Sequence, residues 1–150
     1  MSDVLSFASL DAHWQARTAQ IAKLLEAVPV TSGVSVLIVL ENASAQTAVA
    51  WACAQCACSA LVLAADAPPE VVLRAIAEHR PRVVVCRPEM FGWASKQAFL
   101  NDCAAIYTCA ESGDGTLLDR ASHFPSDAAE SDGFDLDLIR LLDRQGQLQN

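Results

Sequence analysis

The densest group of reactive side chains in the 150-residue sequence is Cys53-x-x-Cys56-x-Cys58; Cys86, Cys103 and Cys109 stand apart. Cys-x-x-Cys spacing suits zinc binding or thiol–disulfide exchange. A zinc site needs four ligands, usually from two such pairs, and no histidine stands at ligand spacing from these cysteines. A redox pair belongs at a helix N-terminus, where the dipole lowers the thiol pKa. These three fall late in a predicted helix. They are expected to be free, buried thiols that pack as small hydrophobes. The opening Met1-Ser2-Asp3-Val4-Leu5 has neither the basic stretch nor the apolar run of a signal peptide. A secreted disulfide framework is therefore disfavoured, and the protein is expected in the cytoplasm.

Other chemistry is thinner. Neither G-x-G-x-x-G nor G-x-x-x-x-G-K-[ST] occurs, and no G-x-S-x-G elbow presents a nucleophilic serine. Gly113-Asp114-Gly115 is flexible, but it offers a carboxylate where a phosphate needs amides and cations. His13, His79 and His123 are far apart, in positions that suit surface or capping roles. Asp135, Asp137 and Asp143 fall on the solvent side of a predicted helix with no phosphate-handling partner.

The elements that would position any site come from periodicity. Leu10, Trp14, Ile21, Leu24, Leu25 and Val28 make one apolar face of a helix running to about Ala27, with Ser6 or Ser9 as its cap. Residues 34–40 (VSVLIVL) read as a strand buried on both faces, as in parallel sheets. Asn42 caps a helix over 43–57. A second strand follows at 60–64. Asp66-Ala67-Pro68-Pro69 opens a helix to about His79, since proline is tolerated in a first turn. Residues 82–86 (RVVVC) form the third strand, Pro88 starts a weaker helix to about Leu100, and 104–109 (AAIYTC) form the fourth strand. Strand and helix alternate with short connections. The fold class is therefore α/β: a three-layer domain with a mainly parallel four- to five-stranded sheet flanked by helices.

Three segments result: an α/β domain over 1–110, an acidic irregular segment over 111–134, and a short C-terminal helix and tail over 135–150. Phe134, Leu138, Leu141 and Leu142 make an apolar stripe on that last helix. It either docks on the domain or serves as an association surface. In an open α/β sheet, ligands bind beyond the carboxyl ends of the strands. Glu41, Asn42, Asp66 and Arg87 would line that edge, where their alternative role is helix capping.

Composition excludes several classes. With 53% hydrophobic residues the chain is not disordered. Ten Lys+Arg against eighteen Asp+Glu, a net charge of −8, give no footprint for nucleic acid or anionic membrane. The most apolar stretch, 48–65, is Ala- and Cys-rich and interrupted by Gln55 and Ser59, so it reads as a buried helix and strand and not as a membrane span.

The order of certain pieces is informative. Ser6-Phe7-Ala8-Ser9-Leu10 precedes the long helix. Gly33-Val34 leads a strand ending in Leu40-Glu41-Asn42, and Ala50-Trp51-Ala52-Cys53 lies on the next helix. Leu61-Val62-Leu63-Ala64-Ala65-Asp66 is followed by Glu70 to His79 and then by Arg80-Pro81-Arg82-Val83-Val84-Val85. In this order and spacing they resemble the N-terminal subdomain of the adenylate-forming (AMP-binding) enzymes: acyl-CoA synthetases, firefly luciferase and peptide-synthetase adenylation domains. The resemblance covers about residues 5–110. Cys58-Ser59 stands where that family usually has Gly. The family's phosphate loop, rich in Ser, Thr and Gly and ending in Lys, has no counterpart, nor do its later adenine, ribose and magnesium motifs or its catalytic Lys.

The resemblance thus implies scaffold: no catalytic residue carries over and no cofactor is expected. The implied function is a non-catalytic structural or regulatory subunit, or one part of a split AMP-forming carboxylate ligase. The alternatives are a stand-alone small-ligand or partner-binding module and a Cys-based redox or metal protein. A homodimer, or a complex with a second chain such as a ligase or carrier protein, is the expected assembly.

Overall fold

Alternate residues of each central strand feed two separate cores. The computed structural model describes residues 10–28, 34–125, 138–143 and 145–148. Its elements run α1 (Ala12–Ala27), β1 (Ser35–Val39), α2 (Ala43–Gln55), β2 (Ser59–Val62), α3 (Pro69–His79) and β3 (Val83–Cys86). A 3₁₀ turn at Pro88–Met90 leads into α4 (Phe91–Leu100), followed by β4 (Ala105–Thr108), α5 (Thr116–Ala121) and β5 (Ile139–Leu141). The five strands form one sheet in the order β4-β3-β1-β2-β5, and every pairing is parallel. Leu37 of β1 stands opposite Leu61 on one side and Val84 on the other.

Successive side chains on a strand point to opposite faces. Val36, Ile38, Ala60, Val62, Val83 and Val85 pack on the face covered by α1, α2 and α5. Leu37, Val39, Leu61, Val84 and Cys86 pack on the face covered by α3 and α4. Strands buried on both sides have no use for polar alternation, which explains the unbroken VSVLIVL and VVVC runs.

Helix α2 is sandwiched between the sheet and α1. Its small residues Ala45, Ala48, Ala50, Ala52 and Cys53 are fully buried and allow close approach of the layers. Asn42 caps it, its side-chain oxygen accepting from the Ala45 N–H at 2.9 Å. At its other end Ala57 adopts φ +59°. The Cys58 N–H then donates to the Cys53 carbonyl at 3.0 Å and the Ala57 N–H to the Ala54 carbonyl at 3.2 Å. This left-handed ending is usually made by glycine.

Three sequence expectations are corrected. Asp11, and not Ser6 or Ser9, caps α1, accepting from the Trp14 N–H at 2.9 Å; both serines lie outside the described residues. The acidic segment is not wholly irregular. Helix α5 interrupts it because Leu117, Leu118 and Ala121 share a buried face.

The C-terminal stripe is not a helix. Ile139–Leu141 forms β5, parallel to β2. The three- and four-residue spacing of Leu138, Leu141 and Leu142 suits a helix, but Ile139-Arg140-Leu141 also alternates in, out, in, and the free edge of β2 supplies a ladder. Leu142 is buried, and its N–H donates to the Val62 carbonyl at 2.8 Å. Leu138 and Leu141 are half-buried, and Phe134 lies outside the described residues.

Candidate functional site

The strand order creates one crevice. The chain leaves β1 toward β2 and leaves β3 toward β4, on the other side, so the connections diverge at the carboxyl ends of β1 and β3. Such a divergence is where open α/β sheets accept ligands. Glu41 follows β1 and Arg87 follows β3. The Arg87 guanidinium donates to Glu41 Oε1 at 2.6 Å, and its Nε lies 3.5 Å from Glu89 Oε2. The side chains of Arg87 and Glu41 are 22% and 39% exposed. Arg87 Nε is itself buried and makes no hydrogen bond.

The crevice is therefore closed by the chain's own ion pair. Arg87 faces two carboxylates and offers no unmatched positive charge to an anion. Asn42, beside Glu41, is fully engaged as well: its oxygen caps α2 and its amide nitrogen donates to the Glu111 carbonyl at 2.8 Å. That second bond ties the loop after β1 to the loop after β4. Of the four residues placed at this edge by sequence, Glu41, Asn42 and Arg87 come together. Asp66 does not. It lines a separate hollow of about 640 Å³ beyond β2, with Glu70, Arg74 and Gln145.

Sequence reasoning missed a second hollow next to Asn42. It has a volume of about 580 Å³ and lies between α1 and the loop leading to α5. Arg17 stacks on Trp14 at 5.4 Å from the ring centroid and donates from Nε to His13 Nε2 at 2.7 Å. Asp114 and Asp119 stand among its other lining residues. The i, i+4 spacing of His13 and Arg17 was the available signal; the facing loop is about a hundred residues away in sequence.

That loop is held by backbone approach. A Cβ on Gly115, at φ +146°, would meet the Thr108 carbonyl oxygen at 2.3 Å. Thr108 N–H donates to Thr116 Oγ1 at 2.9 Å, and Thr116 N–H donates back to Thr108 Oγ1 at 3.2 Å. This clasp fixes the N-terminus of α5 on the end of β4.

The cysteine cluster is arranged as packing. Cys53, Cys58, Cys86, Cys103 and Cys109 are buried and Cys56 is half-buried; all are free thiols. Cys58 Sγ donates to the Cys53 carbonyl at 3.4 Å, across the helix ending described above. Burial pushes Cys56 and Cys86 up to about 12 and Cys109 up to about 11. Burial, reinforced by Cys58, also raises Cys53. Cys58 alone is lowered, by its hydrogen bond with the Cys53 thiol, which outweighs its own burial. Protonated thiols are poor nucleophiles and poor ligands. Among the described residues, no three His, Cys, Asp or Glu side chains cluster as a metal site, and no helix is long and apolar enough to cross a membrane.

No protein-family model and no curated protein matches the sequence. Solved structures do. Apo MatB from Rhodopseudomonas palustris superposes with a TM-score of 0.73 at 22% identity, over 81% of this chain and 24% of that one. A benzoate CoA ligase from Burkholderia xenovorans gives 0.66 at 14% identity, over 85% and 26%. The Mycobacterium tuberculosis fatty acyl CoA synthetase gives 0.70 at 14% identity, over 91% and 27%. The chain has the fold of part of an AMP-forming acyl- or aryl-CoA ligase. It spans about a quarter of the length of these ligases. The five-stranded parallel sheet with helices on both faces is the shared ligase architecture. Cys58-Ser59 stands where the resemblance leads one to expect glycine before the second strand, and the left-handed residue of this helix ending is the preceding Ala57.

Proposed function

We propose that this chain is a non-catalytic relative of the AMP-forming carboxylate ligases, acting in the cytoplasm as a structural or regulatory subunit or as one part of a split ligase. The observation that carries this is a ligase-like fold in a sequence that holds no phosphate-binding loop. A triphosphate needs backbone amides, a cation and Mg²⁺ ligands converging on it. The crevice after β1 and β3 offers Arg87 already matched by Glu41.

Pull-down from the native source, followed by pyrophosphate exchange with a panel of carboxylic acids, tests the proposal. The chain alone gives no exchange, and a companion recovered with it either supplies the activity or has its activity altered on addition of this chain. Exchange by the purified chain alone would overturn the proposal. A second reading, a stand-alone small-ligand module, is favoured by the hollow lined by Trp14, Arg17 and Asp114. It predicts ligand-induced thermal stabilisation that Arg17→Ala abolishes.

A further inference from the structure

The hollow between α1 and the loop leading to α5 holds opposite charges that do not neutralise one another. Arg17 lines it from α1, Asp114 from the loop and Asp119 from α5. Among the described residues, Arg17 forms no ion pair with either aspartate, whereas Arg87 and Glu41 close their crevice at 2.6 Å.

The charged groups are nevertheless held in place. Arg17 lies over the Trp14 ring at 5.4 Å and donates from Nε to His13 Nε2 at 2.7 Å. Its two Nη groups have no partner among the described residues. Trp14 is in turn backed by the loop, since a Cβ on Gly113 would lie 3.7 Å from Trp14 Cζ2. Across the hollow, Ser112 Oγ donates to Asp114 Oδ2 at 3.1 Å and accepts from the Asp114 N–H at 3.3 Å. The Ala110 N–H donates to the Asp114 carbonyl at 2.7 Å, which closes the turn that presents the carboxylate. Asp114 Oδ1 has no partner among the described residues.

Charge selects the ligand. The two Nη groups of an oriented guanidinium accept a carboxylate through parallel hydrogen bonds. A polyphosphate or a dicarboxylate would satisfy Arg17 and then face two aspartates. A divalent cation would meet a guanidinium beside them, and no three His, Cys, Asp or Glu side chains cluster as a metal site among the described residues. A molecule with one carboxylate and one ammonium matches both walls. The volume of about 580 Å³ lies within the range of small-molecule sites, roughly 300–1,000 Å³. We infer, building on the small-ligand reading of this hollow, that it binds a free amino acid as the zwitterion, with the carboxylate on the Arg17 Nη groups and the ammonium on Asp114.

Nitrogen-15 NMR of the indole N–H signals of Trp14, Trp51 and Trp93 tests this, because Trp14 alone of the three lines the hollow. The probes are the common L-α-amino acids and the longer β-alanine and γ-aminobutyrate, which set the two charges at increasing spacing. Each is paired with its N-acetyl derivative, which lacks the ammonium, and with its carboxamide, which lacks the carboxylate. At least one zwitterion is expected to shift the Trp14 signal saturably, with both of its derivatives at least about tenfold weaker, as loss of a hydrogen bond between charged groups implies. Arg17→Gln and Asp114→Asn are each expected to weaken that zwitterion at least about tenfold while the Trp51 and Trp93 signals keep their positions. An N-acetyl derivative that binds as tightly as its parent would overturn the zwitterion and leave a small-ligand site standing. If neither the amino acids nor their derivatives shift the Trp14 signal at up to about 10 mM, or if binding survives Arg17→Gln unchanged, the inference and the small-ligand reading fail together.

Discussion

The two edges of the sheet are finished in opposite ways. At β5 the strand is three residues long, carries the exposed Arg140, and is followed by residues that fold back: Leu142 bridges Leu148, Gln147 donates to Glu78 at 2.7 Å, and His79 bonds the Gly146 carbonyl at 2.8 Å. At β4 the strand is uncharged and, among the described residues, pairs with β3 alone, with only Thr108 held further, by Thr116; the helix above it exposes Phe91 and Phe99. The β5 edge resists further pairing and the β4 edge invites it.

The largest expected effect lies on the β4 side. Gly115→Ala places a Cβ against the Thr108 carbonyl and should destabilise by about 4 kcal/mol, measured by urea denaturation; a loss under about 1 kcal/mol would show that α5 does not need the clasp. On the β5 side, Leu142→Ala removes a buried side chain and should destabilise by about 2–3 kcal/mol. Hydrogen exchange should then show Ile139–Leu141 losing protection before β1 does. Phe99→Lys, by contrast, should change stability by less than about 0.5 kcal/mol, because the ring is already in water. Equal effects of the last two substitutions would erase the distinction between the edges.

The ladder next to β4 makes a pH prediction. Cys86, opposite Thr108, is pushed by burial up to about 12 from 9.0. An acid whose folded pKa is raised holds its proton while the unfolded thiol ionises. The contribution of Cys86 to folding stability is therefore complete below pH 9 and is lost as pH rises from about 9 to 12. Cys86→Ala should make the loss of stability across this range shallower in denaturation curves, with Cys56 and Cys109, also raised by burial, supplying the remaining slope. The one expected gain in stability belongs to Ala57, at φ +59°. Ala57→Gly relieves the left-handed strain and should stabilise by about 0.5–1 kcal/mol, read as a rise in melting temperature.

The interior of the fold was legible in the sequence because parallel strands are hydrophobic on both sides. VSVLIVL and VVVC can hardly be anything else, and Asn42 had both the residue type and the position of a cap. The periphery was not. Leu138, Leu141 and Leu142 fit a helical stripe, and only the free edge of β2, a partner about eighty residues earlier, turns them into a strand and its end. Leu117, Leu118 and Ala121 were hidden within an acidic stretch whose composition outweighed three apolar positions.

At the candidate site, Glu41, Asn42 and Arg87 are legible as edge residues because each lies within three residues of a strand's end. That Glu41 and Arg87 neutralise each other depends on β1 and β3 being neighbours, which strand order decides and local sequence does not. The hollow beside Trp14 requires α1, the 112–115 loop and α5 together, so no single segment announces it.

Isothermal titration calorimetry of ATP with Mg²⁺ into the purified chain tests most directly whether this ligase-fold segment lacks the ligase's nucleotide chemistry. A chain whose crevice is closed by Glu41 and Arg87, and whose sequence has no phosphate loop, should give only heats of dilution. Saturable binding at micromolar ATP would contradict the proposed non-catalytic role.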